Sequence, residues 1–277
     1  MQLEIPIDNL TTKCTPFLRW AGGKSWFVKY LKDYIPVDYN TYHEVFLGGA
    51  AVFFNLNYAG TSYLSDLNKD LIDTYIQVRD NVELVINELK TFQNNKDTYY
   101  KIRGEKYTEE YKKAAQFIFL NRTSFNGIYR VNRNGNYNVP FGFRYTIDHI
   151  IEDTLRKAST KLSDTILISQ DFESAVNNIK RNDFVFIDPP YTVAHENNGF
   201  VEYNQKIFSL EDQYRLYDAL KKLKDIGAYF VLTNAYHVKI KEIYDGIGDF
   251  NILTRHSTIG GKGAKRENIK EYIIKNF

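Results

Sequence analysis

Residues 184–191 read Phe184-Val185-Phe186-Ile187-Asp188-Pro189-Pro190-Tyr191. Four successive β-branched or aromatic residues predict a strand that is buried on both faces, because a strand with one wet face alternates apolar and polar residues. The two prolines stop it and hold the following chain clear of helix, leaving an acid at the carboxyl end of the strand. Strands of this kind belong to largely parallel sheets covered by helices. In open sheets of that class, ligands bind beyond the carboxyl ends of the strands. The octapeptide therefore points to an α/β fold and to the edge of the sheet where chemistry is expected.

The alternation continues on both sides of it. Downstream, the spacing predicts a helix over 210–226, a strand over 229–232, a helix over 236–244, and a terminal hairpin pairing 250–255 with 271–275 across a Gly/Lys loop. Upstream lie a helix over 172–179 and a strand over 165–169. Nearer the start, residues 44–47 form a short strand running into Gly48-Gly49 and an apolar helix through Leu56. A second strand, 63–66, ends in Asp66. Phe27, Tyr30, Leu31 and Tyr34, with Pro36 just beyond, predict an amphipathic helix over 24–35. Between these halves the pattern changes. Residues 69–121 are mostly helical, with helices at 71–78, 82–92 and 111–120, and 125–143 are rich in Asn, Gly, Arg and aromatics. There Asn134-Gly135 separates Ile128-Tyr129-Arg130-Val131 from Tyr137-Asn138-Val139, a strong β-hairpin signal. The main domain is thus expected to be discontinuous, 1–68 and 146–277, around an insert at 69–145.

A chain of 277 residues with 43% apolar and 25% charged residues can bury a real core and is unlike a disordered one. No apolar run approaches the roughly 20 residues needed to span a bilayer. Residues 1–8 carry acids and a proline where a secretory signal needs basic then apolar residues. Cys14 is the only cysteine, which excludes a disulfide within the chain and a cysteine-rich metal site. A cytoplasmic protein is the expectation. The net charge of +2 hides an asymmetry: residues 96–145 hold ten Lys/Arg against four acids, so the remainder carries −4. A basic segment set in a mildly acidic body suggests a polyanion-binding module on an enzyme scaffold.

The tetrapeptide Asp188-Pro189-Pro190-Tyr191 suits methylation of an aromatic amine. Such an amine is a poor nucleophile because its lone pair is delocalised into the ring. A carboxylate and a backbone carbonyl accepting its two N–H bonds localise that pair, while a tyrosine ring can stack on the base. A second segment, Phe17-Leu18-Arg19-Trp20-Ala21-Gly22-Gly23-Lys24, opens a helix. Its Gly-Gly-Lys-Ser is not a phosphate-binding loop, since Leu18 stands where the first glycine is needed and no apolar strand precedes it. Two glycines beside an aromatic and a lysine fit better as a cleft wall. In the third segment, the glycine turn after residues 44–47 can bring backbone N–H groups to the polar end of a cofactor. Asp66 stands where an acid can hold ribose hydroxyls, and Asp171-Phe172 can pair an acceptor with a stacking ring for adenine; each acid also suits a helix cap or turn. The five histidines show no metal-ligand spacing, and no Gly-x-Ser-x-Gly elbow is present.

In this order the segments resemble the Dam-type alpha-class DNA adenine-N6 methyltransferases, over roughly residues 16–277. That family has a Trp-Ala-Gly-Gly-Lys segment, a Glu-Pro-Phe-x-Gly-x-Gly turn, a target-recognition insert, and then Asp-Pro-Pro-Tyr. The resemblance implies a Rossmann-like S-adenosylmethionine-dependent methyltransferase sheet, with an inserted, mainly helical recognition domain carrying the hairpin. It implies S-adenosylmethionine as cofactor, without a metal, held by Trp20, Lys24, Phe46, Gly48, Asp66, Asp171, Phe172 and Asp188. Asp188 and Pro189 would engage the adenine amino group, and Tyr191 would stack on the base. Duplex DNA would be met by Arg19, Phe125, Asn126, Ile128, Arg130 and Pro140, with Phe125-Asn126-Gly127 filling the space left by a flipped adenine and Arg130 reading guanine. Two departures stand in the glycine turn, where Val45 replaces the proline and Ala50 the last glycine.

The activity so implied is methyl transfer to adenine N6 by a monomer, by base flipping, at a site containing GAT, with GATC as the full site. Residues 192–206 are expected to form a lid and the loop 255–266 to add phosphate contacts. Two other readings remain open: an RNA or protein methyltransferase of similar fold, and a DNA-binding protein without catalysis. The large basic insert favours duplex DNA over the first. The joint presence of Asp188-Pro189-Pro190-Tyr191 and Trp20–Lys24 speaks against the second.

Overall fold

A computed structural model of the chain describes residues 14–192, 208–256 and 268–277. The amino-terminal residues 1–8, the lid beyond Thr192 and the basic loop beyond His256 lie outside the described residues. By packing, the chain divides into two compact units. One contains residues 1–25, 48–59 and 70–164, and the other 26–47, 60–69 and 165–277.

The first unit is helical. It holds α1 (Ala51–Asn55), most of α2 (Lys69–Asp80), α3 (Val82–Thr91), α4 (Lys96–Gly104), α5 (Glu110–Thr123) and α6 (Glu152–Leu162). Helix α5 is its centre, buried along Ala114, Ala115, Phe117, Ile118, Phe119 and Leu120, and α3 and α4 pack against it. Helix α6 lies on α3, where Arg156 makes a two-pronged bond to Glu83 at 2.7 and 3.0 Å. Helices α4 and α6 go beyond the three helices the sequence predicts here. The Asn134-Gly135 turn forms where expected, with Gly135 at φ +74°, but its flanks pair only at the bridge Val131–Tyr137. The Asn132 side chain accepts the N–H groups of Asn134 and Asn136, both at 3.0 Å, so side-chain bonds replace part of a ladder.

The second unit carries the sheet: β1 (Tyr42–Glu44), β2 (Ser62–Asp66), β3 (Thr165–Ser169), β4 (Phe184–Ile187), β5 (Tyr229–Ala235), β6 (Asp249–His256) and β7 (Asn268–Lys275). The strand order is β3-β2-β1-β4-β5-β7-β6. Strands β1 to β5 run parallel, and β7 runs antiparallel to both β5 and β6. The expected terminal hairpin is present, but its second strand enters the sheet between β5 and its own partner. Strand β4 is buried at all four positions, as its unbroken apolar run requires. Val185 and Ile187 face a core built with α7 (Phe172–Val176), α8 (Leu210–Ile226) and α9 (Val238–Ile243). Phe184 and Phe186 face the other way, Phe186 stacking on Phe27 at 5.8 Å.

Residues 24–35 do not form the expected α-helix. They make two 3-10 segments, Lys24–Trp26 and Val28–Asp33, closed by bonds such as Tyr30 N–H to Phe27 O (2.8 Å) and Tyr34 N–H to Leu31 O (3.0 Å). The pairs 27/30 and 31/34 are three apart, a spacing that suits a 3-10 turn as well as one face of an α-helix. Packing of Phe27 on the sheet accompanies the tighter winding.

Candidate active site

In the second unit, the strand order reverses direction between β1 and β4, and the predicted residues gather at the carboxyl ends around that point. Asp188 follows β4 and is half-buried. Its Oδ1 accepts a 2.6 Å hydrogen bond from the Thr233 hydroxyl, which comes from fully buried Thr233 on β5. Pro189 is buried and Pro190 half-buried. The Tyr191 hydroxyl donates to Glu271 Oε2 at 2.5 Å, and the other oxygen of Glu271 accepts from Arg255 Nε. Glu271 is 0% exposed, and the Arg255 guanidinium lies 5.9 Å over the Trp26 ring. Burial, and then the charges of Glu271 and Asp188, push the Tyr191 phenol well above its ordinary range, so it stays a neutral donor.

The neighbouring strand ends carry the remaining predicted residues of this unit. Phe46, beyond β1, is half-buried and stacks on Phe172 at 5.4 Å. Asp66, at the end of β2, is half-buried, and its Oδ1 accepts the Asn68 N–H at 3.0 Å. Asp171, beyond β3, caps α7 by accepting the Glu173 N–H at 2.9 Å and also pairs with Arg215 at 3.0 Å. Phe172 is a core residue, 4% exposed, packed between Phe46 and Phe208 with the Arg215 guanidinium 4.9 Å over its ring. The half-buried ring at this edge is therefore Phe46 rather than Phe172.

In the first unit, Trp20 packs against the glycine turn. A Cβ on Gly48 would fall 2.7 Å from Trp20 Cδ1, and Gly48 already has φ +46°, so only glycine suits the position. The carbonyl of Gly48 accepts from the buried Tyr75 hydroxyl at 3.0 Å. Trp20 stacks on Tyr129 at 5.6 Å, and Lys24, buried at 4% exposure, donates to Gly22 O at 2.9 Å. Ala50 caps α1 in the left-handed region, at φ +54° and ψ +32°, which is the conformation the missing glycine would favour.

One buried side chain ties Arg19 to the turn that carries Phe125 and Asn126. Asn121 accepts the Arg19 N–H at 2.8 Å and donates to Arg19 O at 2.7 Å and Gly127 O at 3.2 Å. Phe125 is 52% exposed at the tip of a 3-10 turn, Asn126 has φ +55°, and the Phe125 N–H bonds to the carbonyl of exposed Pro140 at 2.8 Å. Ile128 is half-buried, its carbonyl accepting from Tyr137 at 2.7 Å. Arg130 is exposed and braced across the turn by Asn138 at 2.8 and 3.2 Å. The guanidinium of Arg19 has Nη1 buried without a hydrogen-bond partner among the described residues, and burial and then nearby Arg144 hold its pKa below the ordinary value.

Three contributors are not singled out by sequence: Thr233, Glu271 and Asn121. Thr233 and Asn121 carry no local signal, because their partners are set by strand pairing and by packing. Glu271 does carry one, an acid opening the apolar run Tyr272-Ile273-Ile274, since buried acids are paired. Arg255, expected among phosphate contacts, is turned inward to that acid instead.

Residues 20–259 match the model of the D12 class N6 adenine-specific DNA methyltransferases. The chain is 34% identical to the type II methyltransferase M1.LlaDCHI of Lactococcus lactis subsp. cremoris, over 95% of each chain. It is 34% identical to the type II methyltransferase M.MjaIII of Methanocaldococcus jannaschii, over 95% of this chain and 99% of the relative. With a DNA adenine methylase of Haemophilus influenzae the identity is 31%, over 94% and 93%.

Proposed function

Because the chain belongs to the D12 class N6 adenine-specific DNA methyltransferases, we propose that it transfers a methyl group from S-adenosylmethionine to an adenine swung out of duplex DNA, at a site containing GAT, with GATC as the full site. The observation that carries this reading is the tetrapeptide at the carboxyl end of β4, with its acid held by Thr233 and its ring by Glu271.

The cofactor supplies an electrophilic sulfonium methyl. The chemistry of the second unit's strand ends fits such a group: a carboxylate, Asp66, for vicinal ribose hydroxyls, the half-buried Phe46 ring, and the backbone at Asp171-Phe172. In the first unit, Trp20 contributes by backing the Gly48 turn, and Lys24 by holding the Gly22 carbonyl. Asp188 and the carbonyl of Pro189 accept the two amino N–H bonds of adenine, returning the lone pair to nitrogen. Tyr191 holds the ring face. When bound, the cofactor would supply the methyl group to the nitrogen that Asp188 and Pro189 hold, and the extra proton of that nitrogen would leave for solvent. Rate enhancement comes chiefly from positioning. Phe125 occupies the vacated stack, and Arg130 donates two bonds to a guanine edge, a pairing typically worth about 1–3 kcal/mol against the wrong base.

Asp188→Ala tests the assignment. Methyl transfer, followed with tritiated cofactor, is expected to be abolished while DNA binding persists, because phosphate contacts dominate affinity. Activity within about tenfold of the parent would remove Asp188 from the reaction, since general positioning contributions exceed that.

A further inference from the structure

Thr233 and Asn234 are consecutive on β5, so their side chains leave opposite faces of the sheet. Both grip the same short loop. Thr233 donates to Asp188, the first residue of the tetrapeptide, at 2.6 Å. Asn234 donates to Gln213 Oε1 on α8 at 3.1 Å, and Gln213 in turn donates to Thr192 Oγ1, one residue past the tetrapeptide, at 2.9 Å. The Tyr244 hydroxyl also bonds to Gln213 Oε1, at 2.6 Å, and the Thr192 hydroxyl donates to Phe208 O at 3.0 Å. Thr233, Asn234, Gln213 and Tyr244 are each 0% exposed and Thr192 is 1% exposed.

The two grips differ in kind. The Asn234–Gln213–Thr192 chain is a closed set of neutral amide and hydroxyl groups, and it holds backbone. The Thr233 bond ends on a carboxylate, and a charge-assisted bond of this length fixes the rotation of that carboxylate about its own axis. A carboxylate has about four lone-pair sites, so a bond from Thr233 is compatible with accepting an amine N–H.

We propose that Thr233 is a positioning residue for methyl transfer: its hydroxyl holds the Asp188 carboxylate in the orientation that receives the adenine amino group. This rests on the role given to Asp188 above. The register makes the placement specific, because Ile187 pairs with Leu232, so the next residue of each strand meets the other.

Thr233→Val keeps the shape and removes the donor, and Thr233→Ser restores it. In single-turnover methylation of a duplex holding one target adenine, Thr233→Val is expected to lower the rate about 10- to 100-fold, the range that a misplaced reacting group costs. The KM for DNA and the cofactor dissociation constant should stay within about threefold, because the bond acts on the reacting group and not on uniform binding. Thr233→Ser should return the rate to within about threefold of the parent by the same logic. If Thr233→Val fails to fold by circular dichroism, Thr233→Ala is measured in its place with the same expectations. An unchanged rate in the donor-free variant overturns the proposal, as does a rate loss that serine does not rescue, or a loss matched by equal weakening of DNA and cofactor binding. Asp188→Asn, run alongside, separates the two levels. Near-parental activity there sinks the role of Asp188 itself. An inactive Asp188→Asn with an unaffected Thr233→Val sinks only the positioning.

Discussion

Replacing Glu271 with leucine should damage this protein twice, and the two injuries should be separable. Glu271 has no exposed surface and accepts two bonds, from Tyr191 at 2.5 Å and from Arg255. The Arg255 side chain is itself only 15% exposed, so Glu271→Leu strands a guanidinium with little access to water. Removing one partner of a buried pair typically costs about 3–5 kcal/mol. For a protein of this size that corresponds to a fall in melting temperature on the order of 10 °C. The double variant Glu271→Leu/Arg255→Met removes the stranded charge and replaces the pair with apolar volume, a change that is often neutral or stabilising. Its melting temperature should recover most of the loss but stay several degrees below the parent, because the buried Tyr191 hydroxyl left without Glu271 costs about 1–3 kcal/mol. Its methyl transfer should not return, because the Tyr191 hydroxyl still lacks the acceptor that aims the ring. Differential scanning calorimetry and tritium transfer on the same three proteins give the comparison. Full activity in the double variant would refute the orienting role of Glu271. A single variant destabilised by less than about 1 kcal/mol would refute the burial argument, since that is the cost of an exposed pair.

Ala50→Gly should raise the melting temperature by about 1–3 °C, because relief of a left-handed alanine outweighs the added freedom of the unfolded chain; a lower value would show that Ala50 is not strained. In alkali, the raised phenols of Tyr42 and Tyr191, and that of Tyr137 pushed up to about 12, favour the folded state only while the unfolded chain keeps its tyrosines protonated. Stability is therefore present below about pH 10 and is lost as pH rises beyond it. Tyrosinate absorbance should show these phenols ionising together with unfolding, and complete reversible titration of a folded protein near pH 10 would contradict their burial. Arg130→Ala should relax the methylated motif at one guanine-containing pair by about 1–3 kcal/mol; an identical motif in methylation-aware sequencing would remove Arg130 as the reader.

The parts of the fold legible in the sequence are those whose pattern is local. Strand β4 declares itself by four apolar residues before an acid. Helix α8 is bounded as expected because Ser209 and Asp212 form a capping box at one end and Gly227 turns left-handed at the other. Helix α4 buries only Tyr99 and Ile102, too few to mark a face by period. The 3-10 winding of residues 28–33 shares its apolar spacing with an α-helix. In the candidate site, the tetrapeptide and the acids at the strand ends are legible because parallel strands deliver function at their carboxyl ends. Thr233 is not, since its role depends on which strand lies beside β4. Phe172 looks like a stacking platform in sequence, yet Arg215 from α8 covers its ring, a contact made across 43 residues of chain.

Strand β7 follows β6 in the chain but lies between β6 and β5. During vectorial synthesis on a ribosome, β5 must therefore wait with an open hydrogen-bonding edge until residues 268–275 emerge, while β6 has no place on the sheet without them. The natural order of events is for β6 and β7 to close as a local hairpin and then dock β7-first onto β5. A nascent chain that has not yet presented Glu271 has every residue of the tetrapeptide but no acceptor for the Tyr191 hydroxyl. The bond between Tyr191 and Glu271 thus forms with the completion of the sheet rather than with the appearance of the tetrapeptide.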